Sequence, residues 1–432
     1  MVESVAMDMR AHTEPKGMAN RNLPYTDMVA GVVLFLLLVF GTSTVFVCEA
    51  WALQSFQIGV YALLAAYLLA GIWRRGKPVR GGWLPWLVYL MPLWGVGQIL
   101  ARTTSSSFET RQEVLRWGAL AGVFFLSQAV TRSGMAREYF RNVFLGFASC
   151  MAVLCLTQLF TSHGRVLWIF PTGYPDVYAT FPNQNNYVQF VELALPIALW
   201  KTIREGWRAW WYPLAGGVLY ASAIGSASRA GAVLCTAELL VMLGVGLAKV
   251  RSSKGKRFSR PAIAVLVAVP AFAAVFTFAV GWQRLSDRFR TIDPDLTRGA
   301  FLAAAVDMAE HRPLTGFGLG TFPRVYQRYA VRDFPFYANH AHNDWAEFAA
   351  DGGIPFLLLA LIPFAAAVPS VVRHPWALGL IAIMLNACVD YPFPRPAVSG
   401  WVYALLGMLY LERVSGSEPD PLPLKNSGWL LM

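Results

Sequence analysis

Residues 340–369 read HAHNDWAEFAADGGIPFLLLALIPFAAAVP. The second half is an apolar run that, with its flanks, can form a bilayer-spanning helix, which needs about 20 mostly apolar residues. The first half is polar and titratable: two histidines, an asparagine and three acids within fourteen residues. A polar cluster at the mouth of a membrane helix places proton-handling groups at a membrane surface, and the rest of the chain can be read outward from there.

The composition agrees with a membrane protein. The chain has 432 residues, 56% hydrophobic and 14% charged, with a mean hydropathy of +0.45. Soluble domains carry about 25% charged residues. Apolar runs of spanning length recur almost end to end, and the short alternating segments of a β-barrel are absent. The class is a polytopic α-helical membrane protein. The first 27 residues are polar and mixed in charge and lack the features of a cleavable signal, so the first span is expected to act as its own insertion signal. Cys48, Cys150, Cys155, Cys235 and Cys388 fall within or at the ends of spans. They read as small apolar packing residues rather than a disulfide framework.

Twelve spans are expected, near 28–48, 53–73, 82–100, 114–131, 139–160, 186–202, 209–226, 230–250, 261–282, 346–371, 376–390 and 397–412. The organisation that follows is a cytoplasmic segment 1–27, transmembrane helices 28–282, a periplasmic loop 283–345 expected to be catalytic, transmembrane helices 346–412 and a cytoplasmic tail 413–432. With the N-terminus inside, the connections WRRGKPVRGG, RSGMAREYFR, KTIREGWR, AKVRSSKGKRFSR and VVRHP all face the cytoplasm. Each is short and basic, as the positive-inside rule requires. All seven lysines (Lys16, Lys77, Lys201, Lys249, Lys254, Lys256 and Lys425) fall on that side. The net charge of +11 is therefore a matter of topology, and nucleic acid is not expected as a partner.

The outer side carries arginine and no lysine. Eight arginines and seven acids leave the loop 283–345 near neutral. Arginine suits bidentate contact with carboxylate or phosphate. Within this loop TRGAFLAAAVDMAEHRP reads as a helix with Thr297 as N-cap, Arg298 in its first turn and a stop at Pro313. A glycine-punctuated turn follows, PLTGFGLGTF, and then a second short helix, FPRVYQRYAVR. On that helix Arg324, Arg328 and Arg332 would share one face at i, i+4 and i+8. A solvated stripe paired with acids is the plainer reading of those three.

Other outer-face motifs precede the loop. SASRAG, 226–231, is a tight turn between spans, with Arg229 at the membrane edge, either snorkelling or partnered. FPNQNNYVQFVELALP, 181–196, presents Asn183, Gln184, Asn185 and Asn186 and then carries Glu192 into the apolar stretch. An intramembrane acid calls for a partner, with arginine the expected one, and a structural ion pair is the alternative to a functional role. In the opening stretch Asn343 or Asp344 can cap the helix, leaving His342 just outside its first turn. That helix end carries partial positive charge and free N–H groups, which favour an anion such as phosphate. A neutral histidine there can take a proton from a hydroxyl. His340 lies on the same side if the segment is extended. His340, His342 and Asp344 as metal ligands form the competing reading, without an HExxH or CxxC pattern to accompany them.

HNDWAEFAADGG resembles the signature of the O-antigen ligase and polymerase superfamily of bacterial envelope glycosyltransferases: a histidine, an Asn, Ser or Gln, nine residues, then a glycine motif. Here these are His342, Asn343 and Gly353, with Phe356 where the family's closing glycine would stand. FPNQNN with the following span, SASRAG, and RGAFLAAAVDMAEHRPLTGFGLGTF fit in the family's order, so the likeness covers about residues 180–400. The resemblance implies an all-α, GT-C-like membrane enzyme at the periplasmic face of the bacterial inner membrane, with both termini cytoplasmic. It implies transfer of a glycan from undecaprenyl diphosphate to a sugar hydroxyl of lipid A core, with inversion and with no metal or other cofactor. On this chain His342 matches the histidine proposed to activate the acceptor. Arg229 and Arg298 match arginines thought to bind the donor diphosphate. His340, Asn343, Asn185, Glu192, Arg324 and Arg328 stand as possible supporting residues.

Within that superfamily, O-antigen or exopolysaccharide polymerases and protein O-oligosaccharyltransferases use the same type of donor. The protein-transferring members tend to carry an added C-terminal region. A transporter is the reading from another class, but transporters usually show repeated halves and mid-membrane charges. A non-catalytic envelope scaffold is a third, and it expects no effect of His342→Ala on surface glycan.

Overall fold

A computed structural model describes residues 25–73, 83, 85–174, 176–205, 209–252, 271, 275, 286, 296–330, 334 and 337–414. The helices before the long loop are α1 (Tyr25–Ser43), α2 (Ala50–Trp73), α3 (Pro85–Leu100), α4 (Ser107–Val130), α5 (Gly134–Thr161), α6 (Gln184–Glu205), α7 (Trp211–Gly225) and α8 (Arg229–Ser252). After them come α9 (Leu296–His311), α10 (Phe322–Val325), α11 (Asp344–Arg373), α12 (Leu378–Asn386) and α13 (Pro396–Val414). The strands among the described residues are one pair, Arg165–Val166 against Phe170–Pro171, in the loop before α6. The chain is thus all-α, and Tyr25–Ser43, Ala50–Ile72, Gly134–Thr161, Arg229–Ala248 and Asp344–Arg373 are each long and apolar enough to cross a membrane.

A helix stands at every expected span except the ninth, 261–282, of which only residues 271 and 275 are described; 1–24 and the tail from 415 lie outside the described residues. One expected span is only partly helical. Residues 376–390 hold only a short 3₁₀ turn, Pro375–Ala377, and the nine residues of α12. Nine helical residues rise ~14 Å, against a hydrocarbon core ~30 Å thick. The segment nevertheless leads from His374, beside Glu412 at one end of α13, to Asp390, beside His342 at the other.

The main core is where two groups of helices meet. One group is built on α4, against which α13, α3, α1 and α2 pack; the other is built on α6, against α7, α8, α12 and α5. Trp401 of α13 joins them, stacking on Phe144 of α5 at 4.3 Å and meeting Phe35 of α1 and Phe190 of α6 edge-on. A second, smaller core lies over the start of α11. It is built from Phe301, Ala304 and Met308 of α9, Phe322 and Val325 of α10, and Ala341 and Ala350 beside the histidines. The short helices of the loop are therefore packed as a cap on the bundle.

The loop differs from expectation in two details. Thr297 lies inside α9, not at its cap. The second short helix is one α-turn, Phe322–Val325, followed by a 3₁₀ turn, Tyr326–Arg328. With the change of helical pitch the arginine stripe is lost; Arg332 is outside the described residues. The basic connections are also less superficial than expected. Lys201 is fully buried, pairs with Glu138 and lies 3.6 Å from Glu205. None of the five cysteines is in a disulfide.

Candidate active site

The site begins at the N-terminus of α11. Asn343 is its cap: Oδ1 accepts the Ala346 N–H at 2.9 Å, the arrangement that satisfies an otherwise orphaned first-turn donor. The same side chain donates from Nδ2 to the Cys388 carbonyl at 2.8 Å, and the Asp344 N–H donates to the Ala387 carbonyl at 2.9 Å. The Asp344 carboxylate turns inward and accepts the Phe393 N–H at 3.0 Å. The start of α11 is thus strapped to residues 386–393, the turn that ends α12. This is also why α12 is short: its C-terminal turn is taken up by the site.

His342 precedes the cap with φ +54°, a left-handed conformation that is costly for a residue with a side chain. A residue held there, at the order of 1–3 kcal/mol, is held by its surroundings. Its Nδ1 is 3.3 Å from Oδ1 of Asp390. Asp390 is buried, and its Oδ1 also accepts the Tyr391 N–H at 3.0 Å. Phe301 of α9 lies parallel to the imidazole at 6.3 Å, and the Tyr391 ring stands across it at 4.9 Å. The His342 side chain keeps 25% of its surface accessible. Donation of Nδ1–H to Asp390 selects the tautomer whose Nε2 lone pair is free to accept a proton.

His340 shares this wall. Its ring stacks on Tyr391 at 4.6 Å, and its Nδ1 is 3.0 Å from Glu347 Oε1. The other Glu347 oxygen accepts the Ala341 N–H at 2.7 Å. Both histidines therefore contact one tyrosine, as an extended segment requires, but each has its own carboxylate. With Asp344 turned to Phe393, the three residues of the metal reading do not form one ligand set. Burial and the Asp390 carboxylate push the Tyr391 hydroxyl above its usual range, so it stays protonated.

Arg298 reaches this turn from α9, its Nη1 3.4 Å from the Val389 carbonyl, one residue from Asp390. Phe301 lies one helical turn further along and contacts His342. One helix therefore delivers a guanidinium and an aromatic face to the same place. The glycine turn fixes that helix in position. α11 breaks at Gly353 (φ 71°, ψ 177°), and the preceding carbonyls are used by the turn: Phe317 N–H donates to Ala350 O at 3.0 Å and Gly318 N–H to Asp351 O at 2.8 Å. Gly316, with φ +62°, approaches so closely that a Cβ would come within 2.3 Å of the Asp351 backbone. Phe356, where the signature expects a glycine, is buried against Trp117 and Phe348.

FPNQNN and SASRAG form an adjoining cluster. Asn183 Oδ1 accepts the Asn185 N–H at 2.8 Å, and Asn185 Oδ1 accepts the Ser228 hydroxyl at 2.9 Å. Ala227 takes φ +58° in the tight turn, which sets Arg229 as the first residue of α8. Arg229 is half-buried and makes no hydrogen bond or ion pair among the described residues. The expectation for Glu192 is corrected. Its partner is Asn386, whose Nδ2 donates at 2.9 and 3.2 Å to the two carboxylate oxygens, and no arginine pairs with it among the described residues. Gln189 donates to Asn386 Oδ1 at 3.1 Å and accepts from Asn186 at 3.0 Å. Glu192 is thus tied to the first residue of the 386–390 turn. Arg324 is exposed and pairs with Glu109 at 3.1 Å, and Arg328 is exposed; neither touches the histidines.

The geometry brings together His340, His342, Asn343 and Arg298, joins Glu192 and Asn186 to them through Asn386, and leaves Arg324 and Arg328 outside. Asp390, Tyr391 and Glu347 complete the site and were not singled out in sequence. The available signal was an acid followed by an aromatic, Asp390-Tyr391, where an apolar helix ends. The arrangement can accept a proton at His342 Nε2 and offset negative charge with Arg298, and Arg229 adds a guanidinium that is unpaired among the described residues in the adjoining cluster.

Residues 214–361 match the family model described as O-antigen ligase. The matched segment runs from α7 to the middle of α11 and includes Arg229, Arg298, His340, His342 and Asn343. Asn185, Glu192, Asp390 and Tyr391 lie outside it. No curated protein matches the chain.

Proposed function

We propose, from the match of residues 214–361 to the O-antigen ligase family model, that this protein is an O-antigen ligase, a glycosyltransferase of envelope glycan synthesis. It transfers a glycan from undecaprenyl diphosphate to a sugar hydroxyl of lipid A core, at the periplasmic face of the inner membrane. Its twelve spans set both termini in the cytoplasm. The observation that carries the reading is the left-handed His342, oriented by buried Asp390 and flanked by the helix that bears Arg298. His342 Nε2 takes the acceptor hydroxyl proton as that oxygen attacks the anomeric carbon. The bond to the diphosphate breaks, and Arg298 and Arg229 offset the charge that develops on it. Attack opposite the leaving group inverts the anomeric centre. The reaction needs no metal or nucleotide sugar, and the membrane bundle receives the polyprenyl tail.

A polymerase is the second reading, because polymerases share the donor. Purified protein mixed with undecaprenyl-diphosphate glycan and lipid A core separates the two. A glycan ladder on the core supports the ligase. Longer lipid-linked glycan with unmodified core would make it a polymerase. Uptake or counterflow in proteoliposomes, without transfer, would make it a transporter.

A further inference from the structure

The Tyr391 ring has a second side. One side meets the two histidines; the residue also lines a cavity of about 290 Å³ between the α1–α2 turn, the loop before α6 and the start of α13. This is near the lower end of small-ligand sites, which hold about 300–1,000 Å³. Its lining includes Glu49, Tyr174, Asn183, Asn186, Tyr391 and Arg395. The mixture is informative. Two tyrosines supply flat apolar faces with a polar rim. Two amides donate and accept, a carboxylate accepts and a guanidinium donates, which together match vicinal hydroxyls. The Arg395 guanidinium lies 6.0 Å from the Tyr391 ring centre, so charge and ring face are presented together. Glu49 and Arg395 are exposed, and neither forms an ion pair among the described residues.

The cavity is also coupled to the catalytic candidates. Tyr391 follows Asp390 directly, and its ring is 4.9 Å from that of His342. Asn186 leads through Gln189 to Asn386, at the base of the same turn. A ring seated against Tyr391 is therefore one side chain away from the base.

We propose that this cavity is a sugar-binding subsite, holding a ring of a glycan substrate against Tyr391 and Tyr174 with its hydroxyls on Asn183, Glu49 and Arg395. The proposal rests on the transfer reading for its substrate class, and its test does not require turnover. Binding of two lipid-free probes, deacylated core oligosaccharide and O-antigen oligosaccharide, would be measured by titration calorimetry on purified protein in detergent. Arg395→Ala and Tyr174→Ala, both at exposed side chains, would be compared with wild type and with Arg324→Ala. The expected result is that at least one probe binds wild type and Arg324→Ala alike, and that its Kd rises about tenfold in each cavity variant, the loss of about 1.4 kcal/mol. The probe affected tells whether the ring is the acceptor's or the donor's. Equal binding by all four proteins, or no binding of either probe to wild type, would overturn the subsite. If the subsite binds as expected and no glycan is transferred, the transfer reading falls alone. If transfer proceeds and the cavity variants keep wild-type Kd values, the subsite falls alone.

Discussion

The bundle holds two histidine–acid clusters, one at each end of α6 and α13, and they are built to opposite plans. At the end away from the site, Glu412 accepts from Arg137 at 3.1 Å, Arg141 at 2.8 Å and Trp376 at 3.3 Å, with His374 Nδ1 at 3.2 Å. Glu138 joins Arg141 and Lys201 beside it. Arg141, Lys201 and Glu412 are all buried. At the other end, His342 has one acid partner at 3.3 Å, a left-handed backbone and a quarter of its side chain accessible. The same residue types thus serve two purposes. A saturated cluster ties α5, α6 and α13 together through charges that have no other use. An unsaturated one holds a base under tension with capacity left over. Histidine beside a carboxylate does not identify a catalytic site; spare valence and strain do.

That contrast can be broken most severely at His342. His342→Ala should lower glycan transfer by about 10²–10⁴-fold, the range for loss of a general base, with normal insertion and melting. Arg298→Ala and Arg229→Ala should each cost about 10²–10³-fold, as expected for one group offsetting leaving-group charge, again in purified transfer assays. Glu412→Gln should do the reverse. Removing one partner of a buried ionic cluster costs about 3–5 kcal/mol, so the melting temperature in detergent should fall while the folded fraction transfers at the wild-type rate. A transfer defect without loss of stability would break the distinction between the two ends. Asp390→Asn keeps the shape and loses the charge that orients His342; a reduction of about 10–100-fold in kcat, smaller than for His342→Ala, is expected. Arg324→Ala should be the mildest. Its pair with Glu109 is solvent-exposed and contributes at most about 1 kcal/mol, so both melting and transfer should stay near wild type.

Much of this was legible in the sequence, and what was not has physical reasons. Helices stand where apolar runs of sufficient length occur, because burial of backbone polar groups in a membrane leaves few other choices. The Asn343 cap follows from local chemistry and could be read within fourteen residues; the break at Gly353 falls inside what reads as one continuous span. The short α12 could not. Residues 376–390 are apolar enough for a span, and hydropathy does not register that their last turn is used to strap α11. Asp390 and Glu192 share another difficulty: their partners lie 48 and 194 residues away. A buried acid signals that a partner is needed but does not name it, and Asn386 met the need where arginine was expected. The basic connections were read as facing the cytoplasm; within them the Lys201 and Arg141 side chains turn inward, where Glu138 and Glu412 offer pairing.

The most direct test is single-turnover transfer by purified His342→Ala and wild type, side by side, from undecaprenyl-diphosphate glycan to lipid A core, with melting curves recorded for both. The account predicts native melting and a variant rate reduced by at least about a hundredfold. A natively folded variant that transfers glycan at the wild-type rate would show that the strained histidine at the mouth of α11 is not the base.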